Sequence, residues 1–479
     1  MKYFGTDGIR QKADKFTPNF LARIIKGLIN YSNDNIKIML SGDTRESTEW
    51  IIQDLATACE TFGIEYANAG ILPTPAINYC FYQMDFDFAI DVTASHNPYT
   101  DNGIKIFERG PSTGQKLSPT GCEVIEQALD TSDFSFSPVP TTLREDLHQE
   151  ALSLYVSHLT DYLGDANFKS LKIGLDCANG ATSVINKTVF EQLGASVNLI
   201  NSTPEYNTEI NQNCGSTHLE PLKSLVQENH LDFGIAFDGD GDRCLMIDNK
   251  GNEVDGDQII AILANHFKLD SIAITVMANQ GLLNWAKKAK VNTEITAVGD
   301  SNVAEAMRTH NIPIGGEQSG HIILPNEPTG DGMLTALMTT KVIASTHKSL
   351  YELSQLYQKS PQVIINMPAT SEQKESLKSS DSIKAILLEY NQTLEKEHGR
   401  LLVRPSGTEP LIRITMWGDN QDSINVLANE LKDKLEKYLT WTGDEHRRGL
   451  QNVLRSKNFG EGDVRKTHSE KGLSWKLHH

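Results

Sequence analysis

Three times along this chain a short apolar run leads into a helical pattern and then another apolar run. That recurrence restricts the folds open to it. Residues 36–40, 171–176 and 272–276 read as buried strands. Helical spacing follows over 46–60 (ending near Gly63), up to Leu193 and Gly194, and up to about Ala289, with further strands at 196–200 and near 294–298. Strand, helix, turn and strand in succession is the βαβ signature of a mostly parallel sheet. Each unit holds another apolar strand that runs into a polar loop: 86–92 into 93–98, 233–237 into 238–243, and 312–314 into 315–321. Sheets of this kind bind ligands outside the carboxyl ends of their strands, so the three loops are predicted to converge on one cleft.

The last segment differs. Short strands at 401–404 and 411–416 flank Pro405-Ser406-Gly407-Thr408-Glu409-Pro410, and Ile424, Leu427, Leu431, Leu435 and Tyr438 stand at helical spacing behind them. We expect three related α/β domains with mixed, mostly parallel sheets over 1–150, 151–250 and 251–366. A smaller α+β domain over 367–440 is entered through a polar stretch near 368–382. Residues 441–479, with eight Lys/Arg, five Asp/Glu and four His, are expected to form a poorly ordered tail.

Composition narrows the function classes. A formal net charge of −18 repels nucleic acids and anionic membranes, so neither is expected as a partner, and an anionic small substrate needs a local cationic cluster. No apolar run reaches the roughly 18 residues of a membrane span, and the N-terminus lacks the apolar core of a signal peptide. The six cysteines form no CxxC pair, which argues against a zinc site or a disulfide framework and for a cytoplasmic chain with reduced thiols.

The loops carry the chemistry. Asp238-Gly239-Asp240-Gly241-Asp242 sets three carboxylates at alternate positions on a glycine turn, a pattern suited to a hard divalent cation. An EF-hand is excluded, because its required Gly and Glu fall on Arg243 and Asn249; a solvated acidic turn is the competing reading. Thr93-Ala94-Ser95-His96-Asn97-Pro98 places a serine beside a histidine, but adjacent side chains are expected to diverge and no GxSxG elbow is present. Beside a metal, Ser95 can instead accept and donate a phosphoryl group. Lys105 is then a candidate general acid/base, provided its pKa is lowered. Glu317, Ser319 and His321 suit hydrogen bonding to sugar hydroxyls. Arg404, Ser406, Gly407, Thr408 and Arg413 make a phosphate clamp, and with Arg10, Lys105 and Arg243 they supply the required cationic cluster. Taken one at a time, each loop is also a plausible structural turn.

In order and spacing, the four loops resemble those of the α-D-phosphohexomutase superfamily, and most closely its bacterial subgroup acting on glucosamine phosphates. Supporting runs are Phe4-Gly5-Thr6-Asp7-Gly8-Ile9-Arg10, Cys177-Ala178-Asn179-Gly180-Ala181-Thr182, Cys214-Gly215-Ser216-Thr217-His218 and Thr329-Gly330-Asp331-Gly332. The resemblance covers about residues 1–440. It implies four domains around a central cleft, and an isomerase that converts glucosamine 6-phosphate to glucosamine 1-phosphate through a 1,6-bisphosphate, feeding UDP-N-acetylglucosamine and cell-wall synthesis. It also implies a phosphorylated Ser95 that, with Asp238, Asp240 and Asp242, holds one Mg²⁺. Lys105, His96 and Arg10 would be catalytic. Arg243, Glu317, Ser319, His321, Arg404, Ser406, Gly407, Thr408 and Arg413 would bind substrate. The protein would be a monomer or homodimer. Three features depart from the subgroup's pattern: Gln11 in place of Gly, Ser301 in place of Arg, and the tail. Alternatives are preference for mannose or glucose phosphates, a metal-dependent sugar phosphatase, and a non-catalytic sensor.

Overall fold

The computed structural model describes residues 1–32, 35–131, 134–139, 142, 147–396, 398–406 and 410–456, the last stretch as helix backbone alone from 440. The chain divides into two compact units, Met1–Ala278 with Trp285–Tyr357, and Asn279–Asn284 with the chain from Gln358 onward.

Three sheets build the first unit. The first contains β1 (Phe4–Gly5), β2 (Gly8–Lys12), β3 (Lys37–Gly42), β4 (Glu65–Ile71), β5 (Phe88–Val92), β6 (Asp101–Arg109) and β7 (Gly114–Lys116). Its order is β1-β2-β6-β5-β3-β4, with β7 on β6. The second contains β8 (Lys172–Asp176), β9 (Ser196–Ile200), β10 (Phe233–Phe237), β11 (Cys244–Asp248) and β12 (Glu253–Val254), in the order β12-β11-β10-β8-β9. The third contains β13 (Ser271–Thr275), β14 (Asn292–Thr296), β15 (Gly315–Gly316) and β16 (Ile322–Ile323), in the order β14-β13-β15-β16.

One plan recurs. A central strand (β3, β8 or β13) is flanked by two parallel partners, and the second partner turns back into an antiparallel strand. The expected βαβ units are therefore present, and each of the three expected polar loops is the reversal between the last parallel strand and its antiparallel neighbour.

The sheets form where the pattern is largely apolar: β5 and β10 are buried along their whole lengths, β5 with a single carboxylate, Asp91, that accepts from Thr74 Oγ1. The helix Glu46–Phe62 packs Ile51, Ile52 and Leu55 into the first core beside Ile38 and Leu40. It stops at Gly63, whose left-handed φ of 70° glycine adopts most easily. The third sheet departs from expectation, since the strand falls on Gly315 and Gly316 rather than on 312–314. Any Cβ on Gly315 meets Met307 Sδ at 2.7 Å and Ala273 Cβ at 2.9 Å, so close helix–strand packing requires a residue that disguises the strand.

None of the six cysteines is in a disulfide and all are buried, three in the first α/β segment and three in the second. Burial pushes the thiols of Cys59, Cys122 and Cys244 up, and those of Cys80 and Cys214 up to about 12.

The second unit is built on an antiparallel sheet, β17 (Gln362–Pro368), β18 (Arg400–Pro405) and β19 (Leu411–Trp417), in the order β17-β19-β18. Ile412, Ile414 and Met416 pack against Ile383, Ile424, Leu431 and Leu435. Three expectations need correction. β17 adds a strand ahead of residue 367. The polar stretch near 368–382 contains the helix Ser371–Ser379, begun by a capping box between Thr370 and Gln373. The last helix runs Gln421–Ser456, so residues 441–456 are helical, in keeping with their Glu, Gln, Leu and Arg content; 457–479 lie outside the described residues. Among the described residues no helix is long and apolar enough to cross a membrane.

Candidate active site

The β5–β6 reversal presents Ser95. Its backbone is left-handed, with φ of 52°, and its N–H donates to Thr93 Oγ1 at 2.9 Å. This conformation sends Ser95 Oγ to Asp238 Oδ2, 2.7 Å away on the β10–β11 reversal. His96 Nδ1 lies 3.2 Å from the same Oγ, so the two neighbouring side chains converge where divergence was expected. Burial, followed by the Arg243 and Arg10 cations, pushes the His96 imidazole down to about 4.

Asp238, Asp240 and Asp242 are buried, and each offers an oxygen within 4.8 Å of the others. Burial and the neighbouring carboxylates raise the Asp238 pKa well above the carboxylate range. Burial acts the same way on Asp242, but Lys105, His321 and Arg243 outweigh it and hold that group well below the range. Asp240 Oδ1 and Asp242 Oδ1 are buried without a hydrogen-bond partner. Orphaned carboxylate oxygens in a buried triad are the donor set a hard dication requires, so the residues fit the expected metal.

Cations crowd this triad. Lys105 Nζ lies 2.7 Å from Asp240 Oδ2, 3.0 Å from Asp242 Oδ2 and 3.2 Å from Asp7 Oδ2. Burial opposes its charge, but the three carboxylates prevail and its pKa is raised. The expected lowering is thus reversed, because the sequence did not show how many carboxylates surround this lysine. Arg10 Nη2 donates to Asp7 Oδ2 at 2.5 Å, and Arg243 Nε stands 3.9 Å from Asp238 Oδ2.

The β15–β16 reversal holds Glu317, half-buried, whose Oε1 accepts from the Gly299 N–H at 3.2 Å, and Ser319, which is exposed. His321 does not join them. It is 3% exposed, with Nδ1 3.5 Å from Asp242 Oδ2, while Nε2 accepts from the Gly330 N–H at 3.1 Å. It therefore turns inward to the acidic loop, a position its place next to Gly320 does not reveal. A backbone bridge between Arg243 and His321 ties the two loops together. Ser301 is exposed and lines a cavity of about 620 Å³ with Lys116, Asp300 and Arg308. Gln11 pairs with Asn102 across β2 and β6.

In the second unit, Arg404 and Arg413 are direct partners across β18 and β19. Like charges at such a pair repel, and an anion relieves the repulsion. Lys374 Nζ donates to Ser406 O at 2.8 Å. Gly407 and Thr408 lie outside the described residues.

Sequence reasoning missed Asp7, Asp43, Arg45, Lys116, Asn211 and Asp300. The signal for two of them was available: Gly42-Asp43-Thr44-Arg45 follows a buried parallel strand, as the recognised loops do.

Four family descriptions match the chain: phosphoglucomutase/phosphomannomutase alpha/beta/alpha domain I over 1–136, domain II over 153–251, domain III over 255–360, and the C-terminal domain over 365–434. The chain belongs to the phosphoglucomutase/phosphomannomutase family. Within that class, it is 40% identical over 459 residues to the phosphoglucosamine mutase of Caldicellulosiruptor saccharolyticus, covering 92% of this chain and all of that one. It is 38% identical over 449 residues to the phosphoglucosamine mutase of Clostridium perfringens, covering 91% and 99%. The fold is shared with a putative phosphomannomutase of Thermus thermophilus (TM-score 0.71, 20% identity, 90% of this chain and 98% of that one). It is also shared with Aspergillus fumigatus N-acetylphosphoglucosamine mutase, solved with GlcNAc-6P and magnesium (TM-score 0.60, 16% identity, 90% and 95%).

Proposed function

We infer that this protein is a phosphohexomutase that interconverts glucosamine 6-phosphate and glucosamine 1-phosphate in the cytoplasm, supplying amino-sugar precursors of the cell wall. The observation that carries the chemistry is the Ser95 hydroxyl, 2.7 Å from Asp238 at the edge of a buried triad of carboxylates. The near 40% identity to proteins named phosphoglucosamine mutase supports the choice of sugar.

In the proposed cycle, phospho-Ser95 gives its phosphoryl group to the C1 hydroxyl of glucosamine 6-phosphate. The seryl P–O bond breaks, the sugar P–O bond forms, and the hydroxyl proton ends on Ser95 Oγ. The bound 1,6-bisphosphate then turns over: its C6 O–P bond breaks, the phosphoryl group rejoins Ser95 Oγ, the seryl proton ends on the C6 oxygen, and glucosamine 1-phosphate leaves. Lys105 starts as an ammonium, gives a proton to the departing oxygen and recovers one from the attacking hydroxyl. His96 and Arg10 line this path. Asp238, Asp240 and Asp242 would hold Mg²⁺ with the phosphoserine. When bound, the ion neutralises charge on the transferring group. Glu317 and Ser319 orient the sugar hydroxyls, beside Arg243. Arg404, Ser406, Gly407, Thr408 and Arg413 grip the phosphate that does not react; a fixed anchor suits a sugar that must be read in two orientations.

The test compares kcat/KM for the 6-phosphates of glucosamine, glucose and mannose, with Mg²⁺ and a trace of sugar bisphosphate. Preference for glucosamine supports the assignment. Preference for a neutral hexose retains the mechanism and replaces the substrate, whereas release of inorganic phosphate without isomer makes the protein a phosphatase.

A further inference from the structure

We propose that Arg45 and Asn211 are positioning residues for Ser95: they hold the backbone of its loop so that the hydroxyl stays aimed at the acidic triad through both phosphoryl transfers. The inference rests on the phosphoryl-carrying role assigned to Ser95 above.

Arg45 is 0% exposed and commits all five of its N–H groups inside the protein. Nε donates to Asp43 Oδ2 at 2.9 Å. Nη1 reaches Pro98 O at 2.6 Å and Asp101 O at 3.2 Å. Nη2 reaches Ser95 O at 2.8 Å and Asn97 O at 2.9 Å. Four loop carbonyls are thus gripped by one rigid planar fork, which the point charge of a lysine cannot reproduce. Asp43 fixes the fork and also accepts from Thr93 Oγ1 at 2.6 Å, the same atom that receives the Ser95 N–H. Asn211 arrives independently, from the loop region of the second sheet. Its Nδ2 donates to Ser95 O at 2.8 Å and to Asn97 O at 3.1 Å, the two carbonyls that Nη2 already holds.

This double grip has a clear target. Ser95 is a non-glycine residue at φ of 52°, a conformation that persists only where its surroundings over-determine it. Rotating that peptide to an extended conformation would carry Oγ away from Asp238. Neither Arg45 nor Asn211 contacts Oγ, so both act through the backbone.

The test uses the full chain with Asn211→Gly and Arg45→Lys. Asn211 itself has φ of 58°, so glycine keeps the local backbone while deleting the amide. Occupancy of phospho-Ser95 is read by intact mass, alongside kcat per phosphorylated chain, KM, and loss of the phosphoryl group to water without sugar. Displacement by about 1 Å costs on the order of a hundredfold in rate. Accordingly, Arg45→Lys should lower kcat per phosphorylated chain roughly a hundredfold and Asn211→Gly about tenfold, each with KM within about twofold. An Asn211→Gly chain that is folded and keeps the wild-type kcat per phosphorylated chain overturns the proposal, even if Arg45→Lys fails to fold. Wild-type protein with no phosphoryl on Ser95, together with unimpaired Ser95→Ala, removes the underlying reading and the proposal with it.

Discussion

The first and third sheets of the larger unit offer the same structural position, a reversal from a parallel strand to its antiparallel neighbour, and use it in opposite ways. The Ser95 loop is sunk. Its serine is 0% exposed, and its carbonyls are held by Arg45 and Asn211. The 317–320 turn is open. Glu317 is half-buried and Ser319 is exposed, although the turn's backbone is held too, by the Gly256 N–H on Gln318 O at 3.0 Å and the Cys244 N–H on Gly320 O at 3.1 Å. In the proposed cycle, a group that must meet a phosphorus atom in line needs a fixed backbone, whereas a group that must read a sugar in two orientations needs access. One topology can serve both because the difference lies in what is packed around the turn.

The largest effect should come from the sunken loop. Ser95→Ala is expected to abolish turnover, by at least about a thousandfold, with a thermal midpoint close to wild type. Retained activity would move the phosphoryl carrier elsewhere. The acidic reversal of the second sheet comes next. Asp240→Asn should weaken Mg²⁺ or Mn²⁺ binding, read by calorimetry, by about tenfold or more, since the donor set loses a negative charge and one carboxylate oxygen. Unchanged affinity would show that the triad is not the metal site.

The open turn should behave differently. Ser319→Ala and Glu317→Gln are expected to raise KM about five- to twentyfold with kcat within about threefold, the signature of lost hydrogen bonds to substrate. If kcat falls and KM does not, the contrast between the two loops collapses.

The smallest effect is on stability and concerns Asp331, which caps the helix Gly332–Thr346 beyond the third loop. Burial raises its carboxyl from 3.8 to about 7. With the folded pKa above the unfolded one, the native state binds the extra proton, so stability falls as pH rises from about 4 to about 7. Asparagine caps equally well and carries no charge. Asp331→Asn should therefore gain on wild type in thermal midpoint by a few degrees (about 2–4) at pH 8, and the difference should shrink by pH 5. A gap independent of pH would mean that Asp331 is not protonated in the native protein.

Much of this molecule was legible in its sequence. The buried parallel strand β10 is a continuous apolar run and β5 is one but for Asp91, and their loops announce themselves through Ser95, Asp238, Asp240 and Asp242. What stayed hidden was of three kinds. Glycine strands such as Gly315–Gly316 carry no strand propensity and exist because a helix presses on them. The inward turn of His321 depends on the Gly330 N–H, which comes from a separate segment. The ionisation of Lys105 depends first on Asp240 and Asp242, 135 and 137 residues away in the chain, and then on Asp7, so no local window contains its cause. The clamp on the Ser95 loop is of the same type, since Arg45 and Asn211 meet only in three dimensions.

The distribution of sulfur has a practical consequence. Cys59, Cys80 and Cys122 lie within the first α/β segment, and Cys177, Cys214 and Cys244 within the second, all buried; burial pushes the thiols of Cys59, Cys80, Cys122, Cys214 and Cys244 up. In the folded protein an alkylating reagent meets no thiolate, so modification must wait for opening. The chain thus carries six built-in clocks. The order in which they are labelled under native conditions reports which α/β segment opens first, with no mutation needed to install a probe.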